Sequence, residues 1–299
     1  ALVTDPAPAT FASVMVPLEN SGRHLNRATT LFGVLTSGLN GPEAQALDEE
    51  WSPKLAAASD QDINFNKPLF DRIALVHDGL ATAGLDPVQG RLVDKYYDDM
   101  VRSGAKLDEA GKATLGAINQ ELAGLFTAFG NKVLADEDTW TVIDKKADLA
   151  GLPADLVASY AAAAAERKLP AGTWAVVNTR SSVDPFLQFS SNRPLRERVY
   201  TAFKNRGDNG DANDTNAIIT RIVKLRADRV QLLGYASHAH WQMADSMAGT
   251  PERARALLMQ VWPAAVARVR AEVAQMQAQA AKDDESLRIE PWDYLYYAE

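Results

Sequence analysis

Residues 108–138 read DEAGKATLGAINQELAGLFTAFGNKVLADED, and their spacing decides the fold class. Leu115, Ile118, Leu122, Leu125, Phe129 and Val133 recur three or four apart, which puts them on one face of a helix. Asp108 stands where a side-chain oxygen can accept the first free N–H groups. Asp136, Glu137 and Asp138 close the run in what reads as a solvated acidic turn. The same period extends toward the N-terminus. Leu25, Ala28, Phe32 and Leu35 share one face, and Pro17 opens or breaks that helix. A second helix runs from Pro42 through Trp51 until Pro53 interrupts it, a third from Pro68 to about Ala83, and a fourth from Pro87 to a stop at Gly104. Toward the C-terminus, helices are predicted over 153–168, 194–206 and 213–234, and another starts at Thr250-Pro251-Glu252, where Pro263 should kink or split it. Only Trp174–Asn178 and Pro185–Phe189 read as strands, giving one short β-hairpin near 173–190. The fold class is therefore mainly α.

The chain has 299 residues, 46% apolar and 23% charged, a composition that builds a packed core. Its 31 basic and 39 acidic side chains leave a formal charge of −8, which argues against a nucleic-acid backbone or an anionic membrane surface as partner. No run approaches the roughly 18 apolar residues of a membrane span. The absence of cysteine excludes disulfides, thiolate metal sites and cysteine nucleophiles in this chain. The sequence opens on Ala1, not Met, so a leader has been removed or the chain starts inside a longer protein. Its end reads similarly. Glu290-Pro291-Trp292-Asp293 looks like a helix start, and Tyr294 to Glu299 continue it with no cap or closing turn. The natural protein is expected to continue past Glu299.

Little in the residues themselves carries chemistry. His24, His77, His238 and His240 form no H-E-x-x-H spacing, and His238 and His240 diverge on a helix. Asp208 to Asp214 looks like a calcium loop but has Asn213 where glycine is needed and Ile219 where the bidentate glutamate belongs, so it reads as a turn in which Asn213 or Asp214 caps the next helix. Ser103 and Lys106 match S-x-x-K without its companion motifs, a chance match at a helix end. Arg193, Arg196, Arg198, Lys204 and Arg206 form a basic cluster that either clamps an anion or, as the acid surplus favours, pairs with neighbouring helices. Trp292, Tyr296 and Tyr297 are candidates for lining a peptide channel, with core packing as the alternative.

Several segments, taken in order, resemble a known family. They include Pro8-Ala9-Thr10-Phe11, Leu18-Glu19-Asn20-Ser21-Gly22, Gly84-Leu85-Asp86-Pro87 and Val101-Arg102-Ser103-Gly104-Ala105. Asn192 to Tyr200, Ile222 to Ala227, Met247 to Glu252 and Glu290 to Tyr294 complete the pattern, and Pro17 departs from it. Together they are similar to the thimet-oligopeptidase family of zinc metallopeptidases, most of all to its bacterial peptidyl-dipeptidase (dipeptidyl carboxypeptidase) branch. The resemblance implies a two-lobed helical ellipsoid with a deep central channel that admits short peptides, of which residues 1–299 would be the N-terminal helical lobe. It implies a zinc ion held by two histidines and a more distant glutamate, none of which falls on a position here. The catalytic zinc portion is thus expected beyond 299, in the same polypeptide or as a second chain after a nick near Glu299. It also implies a bacterial protein, cytoplasmic or periplasmic.

Three readings follow. The chain is the non-catalytic N-terminal part of a zinc peptidase that releases C-terminal dipeptides from oligopeptides. Alternatively it is a stand-alone helical peptide-binding or scaffold module. The weakest reading is a self-sufficient hydrolase using Ser103 or a histidine. Under the first, 1–299 alone is inactive and poorly folded, because the apolar stripes of 213–234 and 251–280 lack partners.

Overall fold

In the computed structural model, which describes residues 2–39 and 41–298, the chain is mainly helical. The helices are α1 (Val16–Asn20), α2 (Arg23–Gly38), α3 (Pro42–Ser59), α4 (Lys67–Asp78), α5 (Pro87–Arg102) and α6 (Glu109–Glu137), then α7 (Ala154–Glu166), α8 (Arg180–Phe189), α9 (Arg193–Lys204), α10 (Asn216–Leu232), α11 (His238–Met243), α12 (Pro251–Asp283) and α13 (Tyr294–Ala298). Two strands, β1 (Trp140–Ile143) and β2 (Trp174–Val177), flank α7. Ala1, Asn40 and Glu299 lie outside the described residues, and with them the reading of the chain's last residue.

The chain folds as two compact units, one formed by residues up to 128 with Thr220–Thr250, the other by Phe129–Ile219 with residues from Pro251 onward. In the first unit, α1, α4 and α5 bury Val14, Met15, Leu18, Phe70, Ile73, Val93 and Met100 against one another. Local chemistry fixes these helices. Asp86 accepts the N–H groups of Val88 and Gln89 at 2.9 and 2.8 Å while Gln89 returns the bond, a capping box. Gly104 ends α5 with φ +102°, and a Cβ there would meet the Leu115 side chain at 2.5 Å. Only glycine fits that left-handed, crowded stop.

In the second unit, α7 and α8 pack on the strand pair, burying Ile143, Tyr160, Val176, Val183, Phe186 and Val199. β2 forms as its sequence predicts, but its antiparallel partner is β1, with Trp140 opposite Val177 and Ile143 opposite Trp174. The second strand expected at 185–189 is instead the end of α8. The reason is legible afterwards: the buried residues Val183, Phe186 and Leu187 stand three and four apart, a helical stripe that Pro185 obscures. Pro53 and Pro263 likewise fail to end α3 and α12, which run through them for 18 and 33 residues. A lost hydrogen bond and a ring clash cost about 3 kcal/mol, which the remaining turns outweigh.

The acidic turn at 136–138 is also not simply solvated. Asp136 is 2% exposed and accepts from the Gly207 N–H at 2.7 Å and from the amides of Asn209 and Asn213 at 3.0 and 2.8 Å. It thereby folds the 207–215 loop onto the end of α6. Gly207 has φ +75°, and a Cβ would approach Thr215 Oγ1 to 2.9 Å. Replacing Asp136 by alanine strands three donors, so Asp136→Ala should destabilise the second unit by about 2–3 kcal/mol. Denaturant unfolding of this unit, with amide exchange at Gly207 as local reporter, checks that figure.

Candidate functional site

The segment 290–298 is tied to the rest of its unit most strongly by one carboxylate, with Leu295 packed on the apolar core beside it. Asn192 caps α9 by accepting the Leu195 N–H at 3.1 Å, and this places Arg193 and Arg196, three apart, on the same face. Both guanidinium groups close on Asp293. Arg193 donates from Nε and Nη2 at 3.0 and 2.8 Å, and Arg196 from Nη2 at 2.8 Å. Asp293 is fully buried and Arg196 only 2% exposed. The same carboxylate accepts the Glu290 N–H at 3.1 Å, so it caps its own short helix as well. Arg196 further donates to the Ser190 carbonyl at 2.7 Å, and Arg193 to that of Arg288 at 3.0 Å. Burial alone would raise the Asp293 carboxyl; the two guanidinium groups outweigh it and hold it below the ordinary carboxylate range.

This clamp orients the three aromatic candidates. The Arg196 guanidinium lies 4.1 Å over the Tyr296 ring, and Tyr296 meets Tyr297 edge-on at 5.1 Å. The Tyr297 hydroxyl donates to Asp283 at 3.2 Å. Burial, with Asp283 close by, pushes that hydroxyl's pKa up. Trp292 meets Tyr200 edge-on at 6.2 Å, and its Nε1 is buried without a partner among the described residues. All three rings are half-buried. They pack against their own unit on one side and leave an aromatic surface on the other.

The remaining sequence candidates resolve structurally. Within the basic cluster, Arg193 and Arg196 take Asp293, Arg206 takes Glu137, Arg198 donates to the Val142 carbonyl at 2.7 Å, and Lys204 sits 5.7 Å over Tyr200. The calcium-like loop is organised by Asp136, a residue that the sequence reading placed in solvent. Asp214, not Asn213, accepts the Asn216 N–H at the start of α10, at 2.9 Å. Ser103 closes α5, and Lys106 lies 5.1 Å over Tyr97. His77 stacks on Tyr97 at 3.9 Å, His240 bonds Ser237 at 2.8 Å, and His238 packs by Trp241. Among the described residues, no group of three or more His, Asp or Glu side chains is placed to hold a metal ion. The zinc site implied by the resemblance does not fit these residues.

Comparison with known proteins shows what the chain is similar to. Residues 186–299, which carry the whole Arg193–Arg196–Asp293 clamp, match the model of Peptidase family M3. The chain is 36% identical over 300 residues to the dipeptidyl carboxypeptidase of Escherichia coli (strain K12), covering all of this chain and 44% of that protein. The chain is similar to the M3 peptidases. A dipeptidyl carboxypeptidase from Salmonella typhimurium is 35% identical with the same coverage, and oligopeptidase A of that organism is 29% identical over 303 residues. The M3 likeness therefore extends over the first unit too. The chain spans about half the length of the curated relatives it matches, 44% for each of these three. No helix among the described residues is long and apolar enough to cross a membrane.

The clamp has a measurable signature. Asp293→Asn keeps the shape but leaves Arg196 buried without a counter-charge, and should cost the second unit about 3–5 kcal/mol. Because the folded Asp293 pKa lies below its unfolded value, its contribution is complete above the unfolded carboxylate pKa near 4 and is lost as pH falls through the folded value. Acid titration followed by near-UV dichroism of the aromatic segment should show this loss in the native protein and not in Asp293→Asn.

Proposed function

We propose that this chain is a non-catalytic helical part of a zinc metallopeptidase that hydrolyses short oligopeptides and releases C-terminal dipeptides. The observation that carries the reading is the collinear 36% identity to a dipeptidyl carboxypeptidase over the full chain, at 44% of that protein's length. In this reading the zinc is bound by sequence outside this chain, which is the counterpart these units need. Trp292, Tyr296 and Tyr297 form part of the wall along which a peptide lies, since aromatic rings with polar tips suit peptide backbones.

The surface of α12 supports a missing counterpart. Leu258 is 67% exposed and Trp262 61%, with Leu257, Val261 and Val269 also on the surface, while only Met276 and Ala280 of this helix are buried. A run of exposed large apolar side chains marks an interaction surface. On α10, Ile222, Leu225 and Val230 are buried, and Ile219 and Val223 remain exposed.

The test assays dipeptide release from an oligopeptide with a free C-terminus, by mass spectrometry. A protein extended to the length of the relatives should release dipeptides, lose that activity to a chelator and regain it with zinc. Residues 1–299 alone should release none. Chelator-resistant cleavage by 1–299 would revive a self-sufficient hydrolase. A cooperatively melting 1–299 monomer, with an inactive extended protein, would favour a stand-alone binding module. In the extended protein, Tyr296→Ala should raise KM several-fold with less change in kcat.

A further inference from the structure

The first unit contains a cavity of about 380 Å³ where the wide helical turn Asp60–Asn64 meets α5, α6, α10 and α11. That volume lies at the small-ligand end of protein binding sites, about 300–1,000 Å³. Its wall is half apolar, with Leu122, Phe126 and Trp241. The polar half is unbalanced. Asp60, 4% exposed, has its two oxygens held by neutral amides, Asn64 at 3.0 Å and Asn119 at 2.8 Å. Arg102 is committed to the Trp241 carbonyl at 2.9 Å and to Asp99 and Asp245. Arg229 has no such partner. Its guanidinium lies 4.0 Å over the Trp241 ring, which occupies one face and leaves the N–H edge free. Among the described residues, no carboxylate stands at ion-pair distance from it. Burial lowers the Arg229 pKa, with Asp60 opposing and Arg226 adding to the shift, the sign of a guanidinium drawn out of water without full compensation.

We propose that this cavity binds a small organic monocarboxylate, its carboxylate on the free edge of Arg229 and its apolar body against Leu122, Ala123 and the uncovered parts of Trp241 and Phe126, each of which carries a guanidinium over its ring. A planar fork of N–H donors beside an aromatic wall recognises that combination, since the fork matches both carboxylate oxygens and the rings take the hydrocarbon. The wide turn at 60–64 contributes by carrying Asp60 to the cavity. Turns of this kind widen a helix by one residue and recur at functional sites. The site concerns the first unit alone and stands whether or not the peptidase reading holds.

Benzoate is the probe, with benzamide as its neutral counterpart and acetate as the anion without a ring. Calorimetry and ligand-observed NMR on the intact protein should show saturable one-to-one benzoate binding. Benzamide and acetate should each bind at least tenfold more weakly. Arg229→Gln should weaken benzoate at least tenfold, and Arg268→Gln, on exposed α12, should leave it unchanged. If Arg229→Gln loses its helical dichroism, the benzoate–benzamide ratio on the unaltered protein decides alone. Equal binding of benzamide, equal binding of acetate, or no saturable binding overturns the proposal. The last result is what an intact protein would give if it fills this cavity with a carboxylate of its own.

Discussion

A buried carboxylate between two guanidinium groups is the interaction on which the second unit depends. Removing Asp293 from water is costly, and the cost is met only because Arg193 and Arg196 approach it together and a backbone N–H adds a further bond. The arrangement joins positions about one hundred residues apart in sequence. Once Asp293 is held, Tyr296 lies under Arg196, and Tyr297 reaches back to Asp283 at the end of α12. Gln277 completes the closure by donating to the Leu287 carbonyl at 2.8 Å and accepting the Ile289 N–H at 3.0 Å. The path from α9 through the clamp to α12 is thus continuous. The half-buried rings of Tyr296 and Tyr297 are held in place by the charged groups behind them.

What the residues disclosed and what they hid divide along physical lines. Helices with a regular apolar period and clear end signals were legible, as Asp108 with the Leu115–Val133 stripe and Pro87 with Gly104 show. Proline misled in both directions. Pro53 was read as a break and Pro185 as a strand residue, yet each lies inside a helix, because packing of neighbouring turns can exceed the local penalty; Pro263 lies inside α12 as expected, without splitting it. The partner of β2 was hard to see because pairing across an intervening helix has no short-range turn signal; the β-branched run Thr141–Ile143 was its local trace. Asp136 was hidden for a related reason. An acidic residue at a helix end reads as solvated until a loop seventy residues away folds its amides onto it.

The candidate site was legible only in outline. Trp292, Tyr296 and Tyr297 could be named as ring-rich positions, and the basic cluster could be expected to pair with acids. That Asp293 supplied the acid for two of those arginines was not, since burial is a tertiary property. The family likeness rested on many short segments in order. Neither unit offers a set of metal ligands among its described residues, and α12 presents large apolar side chains to solvent. The exposed side chains of α12 suit the proposed counterpart that would cover them.

Amide hydrogen exchange across α12, compared between residues 1–299 and a protein extended to the length of its relatives, tests this account most directly. It expects the turns around Leu257–Val269 to exchange much more slowly in the extended protein, while those around Met276 and Ala280, already buried here, change little. Equal exchange of both stretches in the two proteins would contradict it, because the apolar surface would then be free surface and not one side of an interface.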